Sequence, residues 1–362
     1  VTAFPLAELQ EVCARARRSS AYAGRLPVAL HSEADWKRLP LTQKEDLRRA
    51  YPFGLLASPM EQVASYHESS GTSGSPISSY FTEADWDDIY ERFLRSRVAL
   101  SSSDMVFVKT PYALVTTAHQ MHGAARKAGA TVVPADNRSQ NMPYARVLRL
   151  LRDLPITVTW SLPTEAIIWA HLARAQGIDP ARDFPRLRAL IVAGESLSAA
   201  RKADISKMWG GKVVIEDYGS TETGSLAGEC REGHLHVWSD RLHFEILNAS
   251  TGETSASGTG SLVVTPLYRE AMPLVRYNLE DEVRLHFEPC ACGSRAARIE
   301  VFGRKLAQTQ GFYQRELEQI ICSHASSVWF WRARASDDAL EVELHADRVE
   351  TRTLQLAIEE KF

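Results

Sequence analysis

Between residues 105 and 219 the chain alternates short apolar runs that end in Gly or Pro with helix-compatible segments, and this periodicity constrains the fold more than any other feature. The runs 105-MVFV-108, 131-TVVP-134, 156-ITVTWSLP-163, 187-LRALIVAG-194 and 212-KVVIEDYG-219 read as strands. Helical segments follow them near 119–130, 143–152, 164–176 and 198–209. Strands buried on both faces and joined by helices form a parallel sheet whose working loops lie at the strand C-termini. After Gly224 the texture becomes β, with strands expected at 235–238, 242–247, 261–267 and 282–287 and a turn at Thr251-Gly252-Glu253. Short amphipathic helices are expected at 6–18 and 42–50, the second opened by a Thr42 capping box. The fold class is therefore α/β. A large N-terminal domain over 1–303 carries parallel βα layers and a β-rich subdomain at about 225–300, and a small, incomplete α+β domain covers 304–362.

With 44% hydrophobic and 24% charged residues and a formal net charge of -3, nothing electrostatic favours nucleic acid or an anionic membrane. No apolar run is long enough to span a bilayer, and five cysteines without a secretory signal point to the cytoplasm rather than to disulfides.

The loop 69-SSGTSGSP-76 concentrates hydroxyls and glycines. Such a loop either points backbone N–H groups into a phosphate-sized concavity or is an exposed linker. It has no Gly-Lys-Ser/Thr ending, so it is not a Walker loop.

The same loop resembles the S-S-G-T-T-G-x-P phosphate motif of the adenylate-forming superfamily, which includes acyl- and aryl-CoA synthetases, peptide-synthetase adenylation domains and luciferases. Downstream, 217-DYGSTETG-224 is similar to its Y-G-x-T-E motif, 193-AGESL-197 to G-G-E-x-L and 277-YNLEDEV-283 to Y-R-T-G-D, while Arg304 in 302-FGRK-305 sits where the hinge arginine belongs. Within the superfamily, 269-REAMPLVRYNLEDEVRL-285 and 290-CACG-293 resemble the phenylacetate-CoA ligase group.

The resemblance implies ATP-dependent activation of a small carboxylic acid, an aryl acid by family habit, through an acyl-adenylate. Transfer to coenzyme A follows, with an amine or a carrier-protein thiol as the alternative acceptor. A non-catalytic nucleotide-binding relative is a further reading, and a homodimer is compatible. By the same resemblance Ser69, Ser70, Gly71, Thr72, Ser73 and Gly74 hold ATP phosphates, Thr221 reaches the α-phosphate and Glu222 binds Mg²⁺. Thr72, Thr221, Glu222 and Arg304 make the catalytic set. Gly194, Glu195, Asp217, Tyr218, Gly219 and Ser220 flank the nucleotide, with Tyr218 on adenine and Asp281 on the ribose. Arg276 supplies positive charge near the phosphates.

Each assignment has a plainer counterpart: Glu222 as a helix N-terminal carboxylate, Tyr218 as core, Asp281 as a turn residue, Arg276 and Arg304 as ion-pair partners. Lys305 follows the hinge arginine where many relatives carry an acid. Lys361, near the end of the sequence, lies on helical texture rather than in the Gly-Lys loop where the superfamily's late lysine is expected. Tyr112, His119, His122, Ala193, Gly194 and Gly219 are candidates for the acid pocket, with Trp160 and Trp169 as further aromatics that equally suit a core.

Cys230, Cys290, Cys292 and a histidine add up to a closed Cys3His set for structural Zn²⁺, against the reading of three free thiols. His236 matches the histidine of metal-containing relatives, and His234 is the alternative. Cys13 and Cys322 read as isolated thiols.

Overall fold

The computed structural model describes residues 4–69, 75–137, 139–303, 313–336 and 339–361. The chain divides into two compact units, and it passes between them several times. The first comprises residues 1–97, 112–124 and 218–301, and the second 98–111, 125–217 and 302–362.

In the second unit the strands Met105–Val108, Thr131–Pro134, Val158–Ser161, Ala189–Val192 and Val213–Ser220 pair in parallel, the last running across the boundary at Asp217. Phe107, Leu190 and Val192 on the strands meet Val147, Leu151, Ala166, Trp169 and Ile205 on the crossover helices. This is the burial that two-sided apolar strands require. Helices Gln314–His324 and Thr351–Lys361 close a separate small core around Leu317, Ile321, Val328 and Leu354.

In the first unit the strands Leu242–Leu247, Gly258–Pro266 and Tyr277–His286 run antiparallel, and Gly224–Glu229 pairs with Leu235–Val237 in the same sense. A hairpin of Ser65–Glu68 with Ser78–Phe81 brackets the glycine-rich motif. Helix Glu83–Leu94 was not foreseen. Its signal is a capping box in which Thr82 accepts from Asp85 N and Asp85 returns the bond to Thr82 N.

The expected Thr42 cap is corrected. Helix Lys44–Arg49 is capped by Gln43 with Asp46, and Thr42 is buried, donating to Val275 O at 2.6 Å and meeting Tyr22 Oη at 2.8 Å. Its hydroxyl serves the tertiary fold instead of the helix end. Among the described residues no helix is long and apolar enough to cross a membrane.

Candidate functional site

The segment after strand Val213–Ser220 is held in one shape by close approach. A Cβ on Gly219 would lie 2.3 Å from Gly224 O, and Gly224 has a φ of +71° that a side chain would strain. Arg92, buried on helix Glu83–Leu94, donates to Thr223 O at 3.3 and 3.4 Å and also to Ser225 O. Ser220 Oγ and Thr223 Oγ1 are 3.0 Å apart.

This pinned turn carries Thr221, half-buried, and Glu222, 6% exposed. No hydrogen bond or ion pair to Glu222 is found among the described residues. A strand follows at Gly224, so the reading of Glu222 as a helix N-terminal carboxylate does not hold. A buried carboxylate with no protein partner is costly unless something else satisfies it, and a hard divalent cation fits that donor.

Tyr218 Oη donates to Asp281 Oδ2 at 2.8 Å. Asp281 lies inside strand Tyr277–His286 rather than in a turn. The register slips between Ser261 and Val263, and Glu280 takes a φ of +61°, the geometry of a bulge that re-aims its neighbour. Arg276 is corrected. It is 3% exposed, and its five N–H donors go to Glu245 Oε2 and Oε1 (3.1 and 2.8 Å), Thr254 Oγ1 (2.8 Å), Lys37 O (2.8 Å) and Leu39 O. No donor is left for a phosphate. Glu245 is held below the usual carboxylate range: burial pushes it up, but the hydrogen bonds and charge of Arg276 outweigh that.

Ser69 closes the base of the glycine-rich motif, its N donating to Ile77 O at 2.9 Å and its Oγ accepting from Ile77 N at 3.0 Å. Ser70, Gly71, Thr72, Ser73, Gly74, Arg304 and Lys305 lie outside the described residues.

Around Tyr112 the first unit gathers several rings. Tyr112 Oη is 3.0 Å from His122 Nδ1, and His119 Nε2 donates to Tyr112 O at 2.9 Å. His67, absent from the residues anticipated, is buried beside them: Nδ1 donates to Leu114 O and Nε2 meets Ser65 Oγ, each at 2.9 Å. Burial, and then the charge of His119, press its pKa down to about 4, so the ring is neutral near pH 7. Its sequence signal is its place directly ahead of the motif, at the start of which Glu68 N also donates to Leu114 O at 2.9 Å.

In the second unit Ala193 is buried, and Gly194 turns with φ +82°, where a Cβ would come 3.1 Å from Leu162 Cδ2. Glu195 Oε2 accepts from Thr164 N at 3.0 Å and from Thr164 Oγ1 at 2.6 Å. Asp217 is buried inside strand Val213–Ser220. Trp160 and Trp169 are buried, Trp169 packed edge-on to Phe107 and bonded to Glu165, which is a core position. Lys361 reaches Glu316 at 3.3 Å.

Cys230, His236, Cys290 and Cys292 place their ligand atoms within 4.8 Å of one another. Tetrahedral Zn²⁺ at ordinary bond lengths separates two sulfurs by about 3.8 Å, and a sulfur from a nitrogen by about 3.6 Å. Cys230 Sγ and Cys290 Sγ are 3.9 Å apart, and Cys292 Sγ is 3.5 Å from His236 Nε2. His236 Nδ1 donates to Ala296 O at 2.9 Å, which fixes the tautomer that turns a lone pair toward the thiols. His234 touches Cys290 Sγ at 3.4 Å but stands outside the four-residue group. The Cys292 amide, with His234 and His236, pulls the Cys290 thiol well below its ordinary range. Burial instead pushes Cys13 up to about 11 and Cys322 up to about 12.

Residues 27–264 match the family described as AMP-binding enzyme. The phenylacetate-coenzyme A ligase of Thermus thermophilus is 34% identical over 297 residues, covering 80% of this chain and 65% of that protein. The phenylacetate-coenzyme A ligase of Escherichia coli K12 is 34% identical over 277 residues, 74% of this chain and 62% of that protein. The chain thus spans less than two thirds of the length of these relatives. A 2-hydroxyisobutyryl-CoA ligase structure, in the postadenylation state with 2-HIB-AMP, aligns with a TM-score of 0.84 at 21% identity over 98% of this chain and 81% of that one. That likeness establishes the mixed α/β fold.

Proposed function

We propose that this chain, which belongs to the AMP-binding enzyme family, activates a small carboxylic acid with ATP as an acyl-adenylate and passes the acyl group to coenzyme A, an aryl acid being the substrate class. The observation that carries the reading is Glu222, a buried carboxylate with no partner among the described residues, on a turn pinned by Gly219, Gly224 and Arg92. The names of the relatives, phenylacetate-coenzyme A ligases, support the acid and the acceptor.

Joining a carboxylate to a polyphosphate brings two anions together, so the chain has to supply positioned donors and a cation more than a base. Glu222 would hold Mg²⁺, which neutralises phosphate charge when bound. Thr221 would donate to the α-phosphate, and Ser69, Ser70, Thr72, Ser73 and Gly74 to the outer phosphates. Tyr218 offers adenine a flat face, and its hydroxyl orients Asp281 toward the ribose hydroxyls. Ala193, Gly194 and Glu195 border the nucleotide and acid. Tyr112 and His119 contact the acid, the bond between Tyr112 Oη and His122 and that between His119 Nε2 and Tyr112 O fixing which polar atoms face it. Arg304 acts at the hinge. Arg276 is left out of this machinery.

Cys230, His236, Cys290 and Cys292 would hold structural Zn²⁺, their ligand atoms lying close enough together for one ion. A Cys3His set leaves no open position, so these residues would tether two turns of the β-rich region through the ion and take no part in the chemistry. Thiolate ligands suit a reducing cytoplasm.

The test is pyrophosphate release with ATP, Mg²⁺ and a panel of phenylacetate, benzoate, anthranilate and 2-hydroxyisobutyrate, with and without coenzyme A. Acid-dependent release and an acyl-CoA product are expected, and Glu222→Ala should reduce the rate by at least about a hundredfold. Full activity in Glu222→Ala, or no release with any acid, would sink the reading.

A further inference from the structure

Helix Ala199–Met208 begins with amides satisfied from elsewhere in its own unit. Ser198 Oγ accepts from Arg201 N at 3.2 Å, the ordinary local cap. The Ser198 amide itself donates to Glu318 Oε2 at 2.7 Å, and the Ala200 amide donates to Gln319 Oε1 at 3.0 Å. Both acceptors stand on helix Gln314–His324. Glu318 is 2% exposed, lies 3.5 Å from Arg201, and is pushed up by burial against the pull of Arg201. On the same face of that helix, Arg315 meets Glu216 at 3.1 and 3.4 Å. Asp204 accepts from Ser327 N and Val328 N at 3.0 and 3.1 Å, holding the chain beyond the helix as well.

These attachments fall at particular places. Ser198 directly follows 193-AGESL-197, and Glu216 directly precedes Asp217. One helix face therefore grips the chain just after one motif and just before another. Solvent would satisfy an exposed helix amide equally well; a buried carboxylate fixed on a second helix instead dictates where that amide sits.

We infer that Glu318 and Arg315 are positioning residues for carboxylate activation, Glu318 setting residues 193–197 through the Ser198 amide and Arg315 setting Asp217 through Glu216. The inference rests on the function proposed above. Neither residue touches substrate. Each acts through a neighbour, and the two act on different parts of the machinery, Glu318 on the wall assigned to the acid and Arg315 on the strand end assigned to the nucleotide.

The experiment compares Glu318→Ala, Glu318→Gln, Arg315→Met and Arg315→Lys in pyrophosphate release with the best acid of the panel, alongside amide hydrogen exchange of each protein. Glu318→Ala should raise the KM for acid about tenfold while leaving that for ATP within about twofold, and Glu318→Gln, which keeps a carbonyl acceptor, should stay near wild type. Arg315→Met should do the reverse, with Arg315→Lys intermediate. Exchange in Glu318→Ala should quicken across 193–198 as a block. If exchange quickens only at Ser198 and Ala200, or if both KM values rise together in both variants, Glu318 merely docks the C-terminal segment and the inference is overturned. Should Glu318→Ala fail to fold, Gln319→Ala removes the neighbouring cap and should give a smaller rise in the acid KM with the same selectivity; an unchanged acid KM in it counts against the inference. A wild-type chain that binds no nucleotide and releases no pyrophosphate overturns the proposed function, while the exchange block at 193–198 still decides the positioning role.

Discussion

Tyr218 and Asp281, 63 positions apart in sequence, are joined by a 2.8 Å hydrogen bond from the phenol to the carboxylate. The bond gives Asp281 one orientation, which a ribose-binding acceptor needs and a solvent-facing carboxylate lacks. Tyr218→Phe keeps the aromatic face and removes the tether, so the KM for ATP should rise several-fold with kcat little changed. Asp281→Ala should raise it more, by about tenfold to a hundredfold, the loss of a charged acceptor. Steady-state kinetics with varied ATP checks both; an unaltered KM in Asp281→Ala would remove this residue from the nucleotide site.

Arg276 should behave as a structural residue. Its five donors are all used inside the protein, two of them on the buried Glu245. Arg276→Lys keeps the charge but offers only three donors, leaving carbonyl or carboxylate oxygens unmatched in a buried setting. A loss of about 3–5 kcal/mol in denaturant unfolding is expected. The KM for ATP of the folded fraction should remain unchanged, which distinguishes this role from one at the phosphates.

Cys292→Ser should lower zinc content, measured by elemental analysis of the purified chain, and lower the melting temperature together with it. His236→Ala should do the same, whereas His234→Ala should retain the metal. The contrast follows from the Ala296 carbonyl, which fixes the His236 tautomer and leaves Nε2 facing the thiols. Retention of zinc in His236→Ala with loss in His234→Ala would exchange their roles.

His67 makes stability depend on pH. Its folded pKa, about 4, lies below the 6.5 of the unconstrained ring. A depressed folded value means that the unfolded chain takes the proton first. The stability is therefore fully present above about pH 6.5 and is lost as pH falls toward 4, by up to about 3 kcal/mol. His67→Gln cannot titrate, so the difference in unfolding free energy between wild type and variant should shrink steadily from pH 7 to pH 4. A constant difference over that range would mean that His67 does not titrate as its burial requires.

The strand and helix succession from 105 to 219 was legible in the sequence because strands buried on both faces must be continuously apolar and must end where the chain turns, and both marks are local. The motif at 217–224 was legible for a similar reason: Gly219 and Gly224 answer a close approach and a left-handed turn that lie within a few residues of each other. The Cys and His types suited to zinc were also readable, since ligand chemistry belongs to the residue and not to the fold.

Tertiary structure decided the rest. Arg276 looked like a phosphate ligand because a motif places an arginine there, but its partners Glu245, Lys37 and Leu39 come from distant segments that only folding assembles. Thr42 lost its expected cap to Val275 and Tyr22 for the same cause. His67, Arg92 and Glu318 carry no local pattern, and each draws its role from a carbonyl or amide remote in the chain: Leu114, Thr223 and Ser198. The sequence by itself determined which chemistry the residues can perform and which stretches pair and turn, because these depend on side-chain type and short-range geometry. Which charge is spent inside the protein only the fold decided, because hydrogen-bond partners are shared out in space.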